Sequence, residues 1–352
     1  MAKVAINGLG RIGRATLKII LDRSNLDLVA VNDLVPADNL AYLLRYDTVY
    51  GRYHRGVEPR EDALVVDGRP IALFHEQDPA ALPWGPLGVE LAFECTGAFT
   101  NEEGLKKHLQ AGARLAILSA PAKTETVATV VYGVNEPGQS ERHISCASCT
   151  TNCIAPVVEV LDRRIGVELA TMTTVHAYTS SQSLVDGPGK KFRRGRAGAA
   201  NIVPTSTGAA VATTRTVPSL RDRFDGAALR VPVPTGSIAD VVCLARRDTG
   251  VEEINRVFRE EAASQRYRDV LGISEDNLVS SDIIGDSRAS VVDLTMTQVV
   301  GKRLVKVMSW YDNEWGYSCQ MVRQAQAMLG VSPGPDEAAK GFTAPPGRPG
   351  AG

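Results

Sequence analysis

Three cysteines lie close together between Ser145 and Cys153, among hydroxyl and amide side chains. An apolar pattern with helical spacing continues from there and predicts a helix over 149–161. Cys149 then lies at or near the N-terminus of this helix, where the partial positive charge lowers the pKa of a thiol and favours the thiolate. These residues predict covalent chemistry with Cys149 as the nucleophile.

Two other interpretations of the cysteines remain open. Cys146, Cys149 and Cys153 have a spacing compatible with zinc ligands, but no second cluster of cysteine or histidine residues completes a set of four. Cys146 and Cys149 also have the C-x-x-C spacing of a redox pair, although they come late in the chain. If Cys149 is the nucleophile, Cys146 and Cys153 are small packing residues and no metal site is expected.

A catalytic thiol needs a base from elsewhere in the chain. The β-branched run 171–175 predicts a strand that ends at His176, and polar residues follow it. A histidine at the end of an apolar strand is either structural or placed for proton transfer, and both roles are open for His176 from its sequence context.

The chain opens with the order strand, glycine-rich turn, helix, strand and acid that is typical of a dinucleotide-binding fold. Gly8 permits a tight turn, Gly10 lets the backbone approach a pyrophosphate, and Gly13 lets the helix pack close to the strand. The helix N-terminus offers unpaired N–H groups to the phosphates. Asp33 can bind the adenosine ribose and would repel a 2′-phosphate, which favours NAD over NADP.

Small residues follow two later runs, 89–95 and 114–118, that read as buried strands. Since ligands of parallel sheets lie at the carboxyl ends of the strands, these residues are candidates for cofactor contacts, although ordinary turns would look the same. The cofactor-binding residues predicted in this half of the chain are Gly8, Gly10, Arg11, Ile12, Gly13, Asp33, Thr96, Gly97 and Ser119.

Long strands dominate the second half of the chain, and helical patterns cover 251–263 and 316–329. We therefore predict an α/β protein with an N-terminal Rossmann-type domain and an α+β catalytic domain that has a mostly antiparallel sheet. The predicted divisions are 1–148 for the NAD-binding domain, 149–315 for the catalytic domain, the helix 316–329 completing the first domain, and a disordered tail over 330–352 that is rich in Gly, Pro and Ala.

The net charge of −1 over 352 residues gives no general attraction to nucleic acid or to anionic membranes. No apolar run approaches the roughly 20 residues that span a bilayer. Six cysteines in a chain of this size suit free thiols in a reducing cytosol, which predicts a cytoplasmic protein. The segment 190–196 carries five cations in seven residues and is either a solvated loop or a local RNA-binding patch.

Nearly the whole chain, from residue 3 to about 329, resembles the phosphorylating glyceraldehyde-3-phosphate dehydrogenases. The segments that carry the resemblance are 7–14, 44–47, 119–123, 147–153, 204–210 and 310–314. It implies that Cys149 attacks glyceraldehyde 3-phosphate, that His176 is its base, and that hydride passes to NAD. Inorganic phosphate would then cleave a thioester on Cys149 to give 1,3-bisphosphoglycerate.

The resemblance also implies roles for further residues. The segment 190–196 would belong to a loop at the subunit interface of a homotetramer, and Pro188 stands where NAD-specific members commonly have proline. The implied contacts are Gln77 near the adenine, Asn313 on the nicotinamide amide, Arg230 and Thr179 on the substrate phosphate, and Ser148, Thr150, Thr207 and Gly208 on inorganic phosphate.

Two positions depart from the pattern of the family. Ser181 stands where many members have an acid, and Gln77 stands where many have an arginine. The alternative functions are an erythrose-4-phosphate dehydrogenase of the same family and, from another class, an RNA-binding or regulatory protein that uses the 190–196 loop.

Overall fold

A computed structural model describes residues 1–332 of the chain, so most of the predicted tail lies outside the described residues. The strands are β1 (Ala2–Asn7), β2 (Leu26–Asn32), β3 (Tyr46–Asp47), β4 (Gly51–Arg52), β5 (Val57–Arg60), β6 (Ala63–Val66), β7 (Arg69–Phe74), β8 (Leu91–Glu94), β9 (Leu115–Leu118), β10 (Ala128–Thr129), β11 (His143–Ser145), β12 (Val167–Ala177), β13 (Val203–Ser206), β14 (Phe224–Val231), β15 (Ser237–Ala245), β16 (Leu271–Ser274), β17 (Ser290–Val300) and β18 (Leu304–Tyr311). The α-helices are α1 (Arg11–Arg23), α2 (Ala37–Arg45), α3 (Trp84–Leu87), α4 (Glu102–Gln110), α5 (Cys149–Arg164), α6 (Ala209–Thr216), α7 (Val251–Ala262) and α8 (Trp315–Leu329).

The first sheet has nine strands in the order β10-β11-β9-β8-β1-β2-β7-β6-β5. Pairs are parallel from β10 to β7 and antiparallel at the β7–β6–β5 edge. The chain leaves β1 toward β2 on one side and later returns to β8 on the other. This reversal creates a crevice at the carboxyl ends of β1 and β8, which is where ligands of such sheets bind.

The second sheet has seven strands in the order β13-β14-β12-β15-β18-β17-β16. It is antiparallel except at the β12–β14 and β16–β17 pairs. Helices α5, α6 and α7 pack against it, and their apolar residues form a second core with the strands. The predicted fold class is therefore confirmed, including the mostly antiparallel second sheet.

Two helices, α5 and α8, connect the two sheets. Helix α5 begins directly after β11, the last strand of the first sheet, and packs against strands of the second sheet. Helix α8 follows β18 and returns to α1, where Met321, Val322 and Ala325 join the first core. The N-terminus of α5 therefore lies where the carboxyl edge of the first sheet meets the second sheet. None of the helices within residues 1–332 combines the length and apolar character needed to cross a bilayer.

Candidate active site

Cys149 is the first residue of α5, as the sequence predicts, and the loop before it is held firmly. Ser148 caps the helix by accepting a hydrogen bond from the Thr151 N–H at 3.1 Å. Ala147 has a φ of 56°, a left-handed conformation that is unusual for a residue with a Cβ. Two side chains hold this turn. The Tyr317 hydroxyl donates to the Ala147 carbonyl at 3.1 Å. The Asn152 amide donates to the carbonyls of Cys146 and Ser148 at 2.8 and 2.9 Å. Strain of this kind persists only where neighbouring groups fix it.

Strand β12 delivers His176 to the thiol, and Cys149 Sγ lies 3.3 Å from His176 Nε2. On the neighbouring parallel strand β14, Arg230 is the register partner of His176. Its guanidinium contacts His176 Nδ1 and donates to the Ala177 carbonyl at 2.9 Å. The structure thus brings three of the predicted residues into one connected group. Arg230 Nε is also buried and makes no hydrogen bond within residues 1–332, which leaves it for an anionic ligand.

The electrostatics of this group differ from the expectation for a thiol at a helix N-terminus. Burial raises the pKa of the Cys149 thiol, and this outweighs the charge of Arg230 and the Thr150 N–H, which act to lower it. Burial, followed by the charge of Arg230, lowers the pKa of His176 to about 3. The prediction that the helix position leaves the thiol pKa below normal is therefore wrong for the unliganded pair, because desolvation is the larger effect.

The hydroxyls of Thr150 and Ser148 have different partners: Ser148 caps α5, whereas Thr150 bonds to a tyrosine of the second sheet. Thr150 is buried, and its hydroxyl hydrogen bonds to the Tyr311 hydroxyl at 2.9 Å. Tyr311 bonds at 2.7 Å to Thr174 as well, and its ring packs edge-on against His176. The Thr150 hydroxyl is thus occupied within the protein, and both the backbone N–H and the side chain of Thr150 act on the Cys149 thiol to lower its pKa. Its assignment as a phosphate ligand stays a prediction.

The remaining phosphate-site candidates lie on two loops. Thr179 follows β12, and its hydroxyl bonds to Ser181 at 2.8 Å. Arg194 also donates to Ser181, at 3.4 Å, so the serine that replaces the usual acid connects the threonine to a cation. Thr207 and Gly208 precede α6, and α6 packs against α5. A helix N-terminus suits an anion, but the phosphate roles of these residues stay predictions.

The glycine turn between β1 and α1 has the geometry expected for a dinucleotide. Gly8 has a φ of 93°, and a Cβ on Gly13 would lie 1.9 Å from the Gly8 carbonyl oxygen. A Cβ on Gly10 would meet no protein atom within 4 Å, which leaves room for a ligand to approach. Asp33 accepts hydrogen bonds from the N–H groups of Leu9 (2.6 Å) and Val35 (2.9 Å). These residues fit an NAD molecule whose pyrophosphate lies at the N-terminus of α1.

Within residues 1–332, the other predicted cofactor-binding residues make no contact that by itself indicates a cofactor. The Arg11 guanidinium is held by Glu314 and Asp47, both at 2.5 Å, so Arg11 and Ile12 can offer only the N–H groups at the start of α1. Gln77 is exposed after β7. Thr96 and Gly97 follow β8 and are exposed, and Ser119 follows β9 and is half-buried.

Asn313 lies just before α8 and is connected to the catalytic strand. Its amide oxygen accepts hydrogen bonds from the Gly236 N–H (3.2 Å) and the Ser237 hydroxyl (2.9 Å). Ser237 in turn accepts from the Ala177 N–H at 3.1 Å. Within residues 1–332 the Asn313 amide nitrogen makes no hydrogen bond, and it is the group that remains for a ligand. The sequence offered no sign of the bridging role of Ser237.

Several cations of the basic segment 190–196 bond to nearby residues of the same chain. Lys191 donates to Ser206 (3.0 Å), Arg194 to Thr205 (3.1 Å), and Arg196 pairs with Asp186 (2.7 Å). These contacts hold the loop against neighbouring segments and give no support to an RNA-binding role. All six cysteines have free thiols, and the described residues contain no group of three or more His, Cys, Asp or Glu residues that could hold a metal ion.

Comparison with known proteins covers both halves of the chain. Residues 2–102 match the family model described as the glyceraldehyde 3-phosphate dehydrogenase NAD binding domain, and residues 148–313 match the model of its C-terminal domain. The glyceraldehyde-3-phosphate dehydrogenase of Thermotoga maritima is 49% identical over 333 residues, which is 94% of this chain and 99% of the relative. That of Clostridium pasteurianum is 47% identical over 330 residues (92% and 97%), and glyceraldehyde-3-phosphate dehydrogenase 2 of Bacillus subtilis is 46% identical over 323 residues (91% and 94%).

Proposed function

The chain belongs to the glyceraldehyde-3-phosphate dehydrogenase family, and we propose that it catalyses the NAD-dependent oxidation and phosphorylation of glyceraldehyde 3-phosphate to 1,3-bisphosphoglycerate. The observation that carries the proposal is the pair of Cys149 Sγ and His176 Nε2, 3.3 Å apart at the start of α5 and beside Arg230. The glycine turn after β1 and the acidic residue Asp33 fit NAD rather than NADP.

The reaction begins with addition of the thiol to the aldehyde. Cys149 Sγ bonds to the aldehyde carbon while His176 Nε2 carries the thiol proton to the aldehyde oxygen, which gives a hemithioacetal. The glycine turn and Asp33 would hold NAD, which would supply the acceptor for the hydride that leaves this carbon. His176 takes the hydroxyl proton as the hydride leaves, and the product on Cys149 is a thioester. His176 near neutrality starts as a neutral base because its pKa is lowered to about 3.

The second half of the reaction transfers the acyl group to phosphate. Inorganic phosphate attacks the thioester carbon, the bond to Sγ breaks, and the proton held on His176 returns to the thiolate. We assign the substrate phosphate to Arg230 and Thr179, and the attacking phosphate to Ser148, Thr207 and Gly208. The buried, unbonded Nε of Arg230 supports the first assignment.

The experiment that tests this function measures NADH formed from glyceraldehyde 3-phosphate with and without inorganic phosphate. We expect steady turnover with phosphate and a single burst of NADH without it. Cys149→Ser should abolish both, whereas the control Cys153→Ser should keep both, because Cys153 is buried and already beside Ser290 and Ser309. Phosphate-independent turnover at the full rate would exclude the phosphorylating reaction. A higher kcat/KM for erythrose 4-phosphate in the same assay would favour the other branch of the family.

We also propose that the protein is a homotetramer. The face of the second sheet that the helices leave open presents a row of apolar residues that are register partners across four neighbouring strands: Leu169, Leu244, Leu304 and Val300. Leu169, Leu304 and Val300 are 54%, 44% and 62% exposed. A contiguous apolar surface of this kind suits a second copy of the chain. Light scattering of the wild type should give a tetramer, and Leu304→Lys should shift it toward smaller species. A wild type that is a monomer or a dimer would exclude the homotetramer.

We place this enzyme in the cytoplasm. Its six free thiols, including the reactive Cys149, suit a reducing compartment. Fluorescent tagging of the full chain in its own host would test the location, and a signal confined to the cell exterior would contradict it.

A further inference from the structure

A buried carboxylate lies under the cofactor edge of the first sheet and is not used by the catalytic steps above. Glu94 ends β8 and has no exposed surface. One of its oxygens accepts hydrogen bonds from the Thr96 N–H, at 2.8 Å, and from the Thr96 hydroxyl. The other accepts from the Asn7 amide at 2.6 Å and contacts His108 Nε2 at 2.9 Å. Both oxygens of Glu94 are therefore fully engaged.

The partner of His108 determines which of its nitrogens carries the proton. The Trp84 indole N–H lies 3.2 Å from His108 Nδ1, and an indole nitrogen can only donate. Nδ1 must then accept, so Nε2 carries the proton and donates to Glu94. Glu94 is thus held by four hydrogen bonds, and no lysine or arginine within residues 1–332 forms an ion pair with it. A buried acidic side chain of this kind is stable only while its hydrogen-bond partners stay in place.

The chain of hydrogen bonds continues across the sheet. Asn7 ends β1 and accepts from the Asn32 amide at 2.7 Å. Asn32 ends β2 and bonds to both the N–H and the carbonyl of Glu76, at 2.8 and 2.9 Å, just beyond β7. Since β8, β1, β2 and β7 are neighbours, these contacts connect four strand ends directly beneath the cofactor edge. We call Trp84, His108, Glu94, Asn7 and Asn32 the edge relay.

The edge relay meets the cofactor-binding residues at two of its members, Glu94 and Asn32. A Cβ on Gly8 would lie 2.7 Å from the Thr96 nitrogen, so the glycine turn rests on the peptide that Glu94 holds. At Asn32, the chain continues directly to Asp33, which leads into the adenosine side of the site.

We propose that Glu94, oriented by His108, is a positioning residue for NAD: it holds Thr96 and the Gly8 turn in register with the adenosine end of the site. This inference rests on the proposed function only in requiring that NAD binds at this edge. Loss of the relay should weaken NAD binding and leave the chemistry of Cys149 and His176 unchanged, because no relay residue touches either of them.

The first test is Glu94→Gln in the full-length chain. Glutamine has one oxygen and one NH₂ group, so the NH₂ group must face two groups that donate to Glu94. On the Thr96 side the hydroxyl can turn and accept, but the Thr96 N–H cannot, so at least one of the four hydrogen bonds is lost and a buried donor is left unpaired. We expect the dissociation constant for NAD, measured by calorimetry, to rise by about tenfold or more, since leaving buried donors unpaired is costly. The kcat at saturating NAD and the rate of alkylation of Cys149 should stay within about twofold of wild type, which would follow from intact chemistry.

The matched control is Glu261→Gln. Glu261 is also a buried glutamate held by several hydrogen bonds, from Arg163 and Arg164, but it lies on α7 beside the second sheet. It should lower thermal stability without changing the affinity for NAD. If both glutamine variants weaken NAD binding equally, the effect is general destabilisation and the proposal is overturned.

Two substitutions at His108, one that keeps its hydrogen bonds and one that removes them, add a rescue test. His108→Gln can still donate to Glu94 and accept from Trp84, so NAD affinity should stay near wild type. His108→Leu can do neither and should match Glu94→Gln. If Glu94→Gln or His108→Leu does not fold, Trp84→Phe removes only the indole donor, and about a twofold to threefold weaker NAD affinity is expected from it.

Different results would overturn the positioning role of Glu94 and the proposed function. Wild-type NAD affinity in Glu94→Gln, or in Trp84→Phe if that variant is needed, overturns the positioning role. A wild-type protein that does not bind NAD at all would instead contradict the proposed function.

Discussion

Two glycines of the same turn should fail in different ways when each is replaced by alanine. A Cβ on Gly13 would lie 1.9 Å from the Gly8 carbonyl oxygen and 2.9 Å from its carbon. Ordinary contact begins near 3.4 Å, so the helix and the turn must separate by about 1.5 Å. Overpacking of a rigid backbone typically costs about 1–3 kcal/mol. A Cβ on Gly10 meets no protein atom within 4 Å, and its φ of −65° suits alanine.

Gly13→Ala should therefore lower the melting temperature by about 2 °C or more, and it should also weaken NAD binding because the turn moves. Gly10→Ala should keep the melting temperature within about 1 °C but raise the KM for NAD by about tenfold, since its methyl group occupies the space left for the pyrophosphate. Calorimetric melting and initial-rate kinetics on both variants measure the two effects. Unchanged stability in Gly13→Ala, or an unchanged KM for NAD in Gly10→Ala, would refute the reasoning.

Three further predictions concern the chemistry of the site. His176→Asn should lower kcat by about 10²- to 10⁴-fold and leave NAD affinity unchanged, as measured by burst kinetics and calorimetry; a wild-type burst rate would exclude His176 as the base. Because burial raises the pKa of Cys149 above its ordinary value of 9.0, alkylation of the unliganded enzyme by iodoacetamide should still accelerate above pH 9, and Arg230→Leu should move this profile to higher pH, since the guanidinium stabilises the thiolate. A shift to lower pH in Arg230→Leu would contradict the sign. Thr207→Ala should raise the KM for inorganic phosphate by about tenfold with an unchanged NADH burst; a slower burst would place Thr207 in the first half-reaction.

Local patterns predicted much of this molecule. The helix that begins at Cys149, the strand that carries His176 near its end and the glycine turn each depend on a short segment of sequence, so spacing alone locates them. The family resemblance then supplied Arg230, whose contact with His176 depends on the register of two strands far apart in the chain. A slip of one residue in that pairing would turn Arg230 to the other face of the sheet, and no local pattern encodes it.

Burial explains the features that the sequence did not reveal. The direction of the Cys149 pKa was mispredicted because desolvation depends on what packs around the thiol. Thr150 turns its hydroxyl to Tyr311, a residue distant in sequence that had no assigned role. Glu94 looked like an ordinary residue at the end of an apolar strand. Its engagement by Thr96 and His108 becomes visible only when α4 packs on the sheet.

Arg230 acts on the two catalytic groups with opposite consequences. Its positive charge lowers the pKa of Cys149, which favours attack, and lowers the pKa of His176, which disfavours uptake of a proton. It also competes for His176 Nδ1, because that nitrogen faces both a guanidinium donor and the Ala177 carbonyl at 2.7 Å, and it cannot accept from one while donating to the other. A substrate phosphate at Arg230 would offset the charge and engage the guanidinium. His176 Nδ1 could then donate to Ala177, and Nε2 would be free to accept the proton of the thiol. The phosphate of the substrate therefore both binds the substrate and makes His176 a better base in the enzyme–substrate complex.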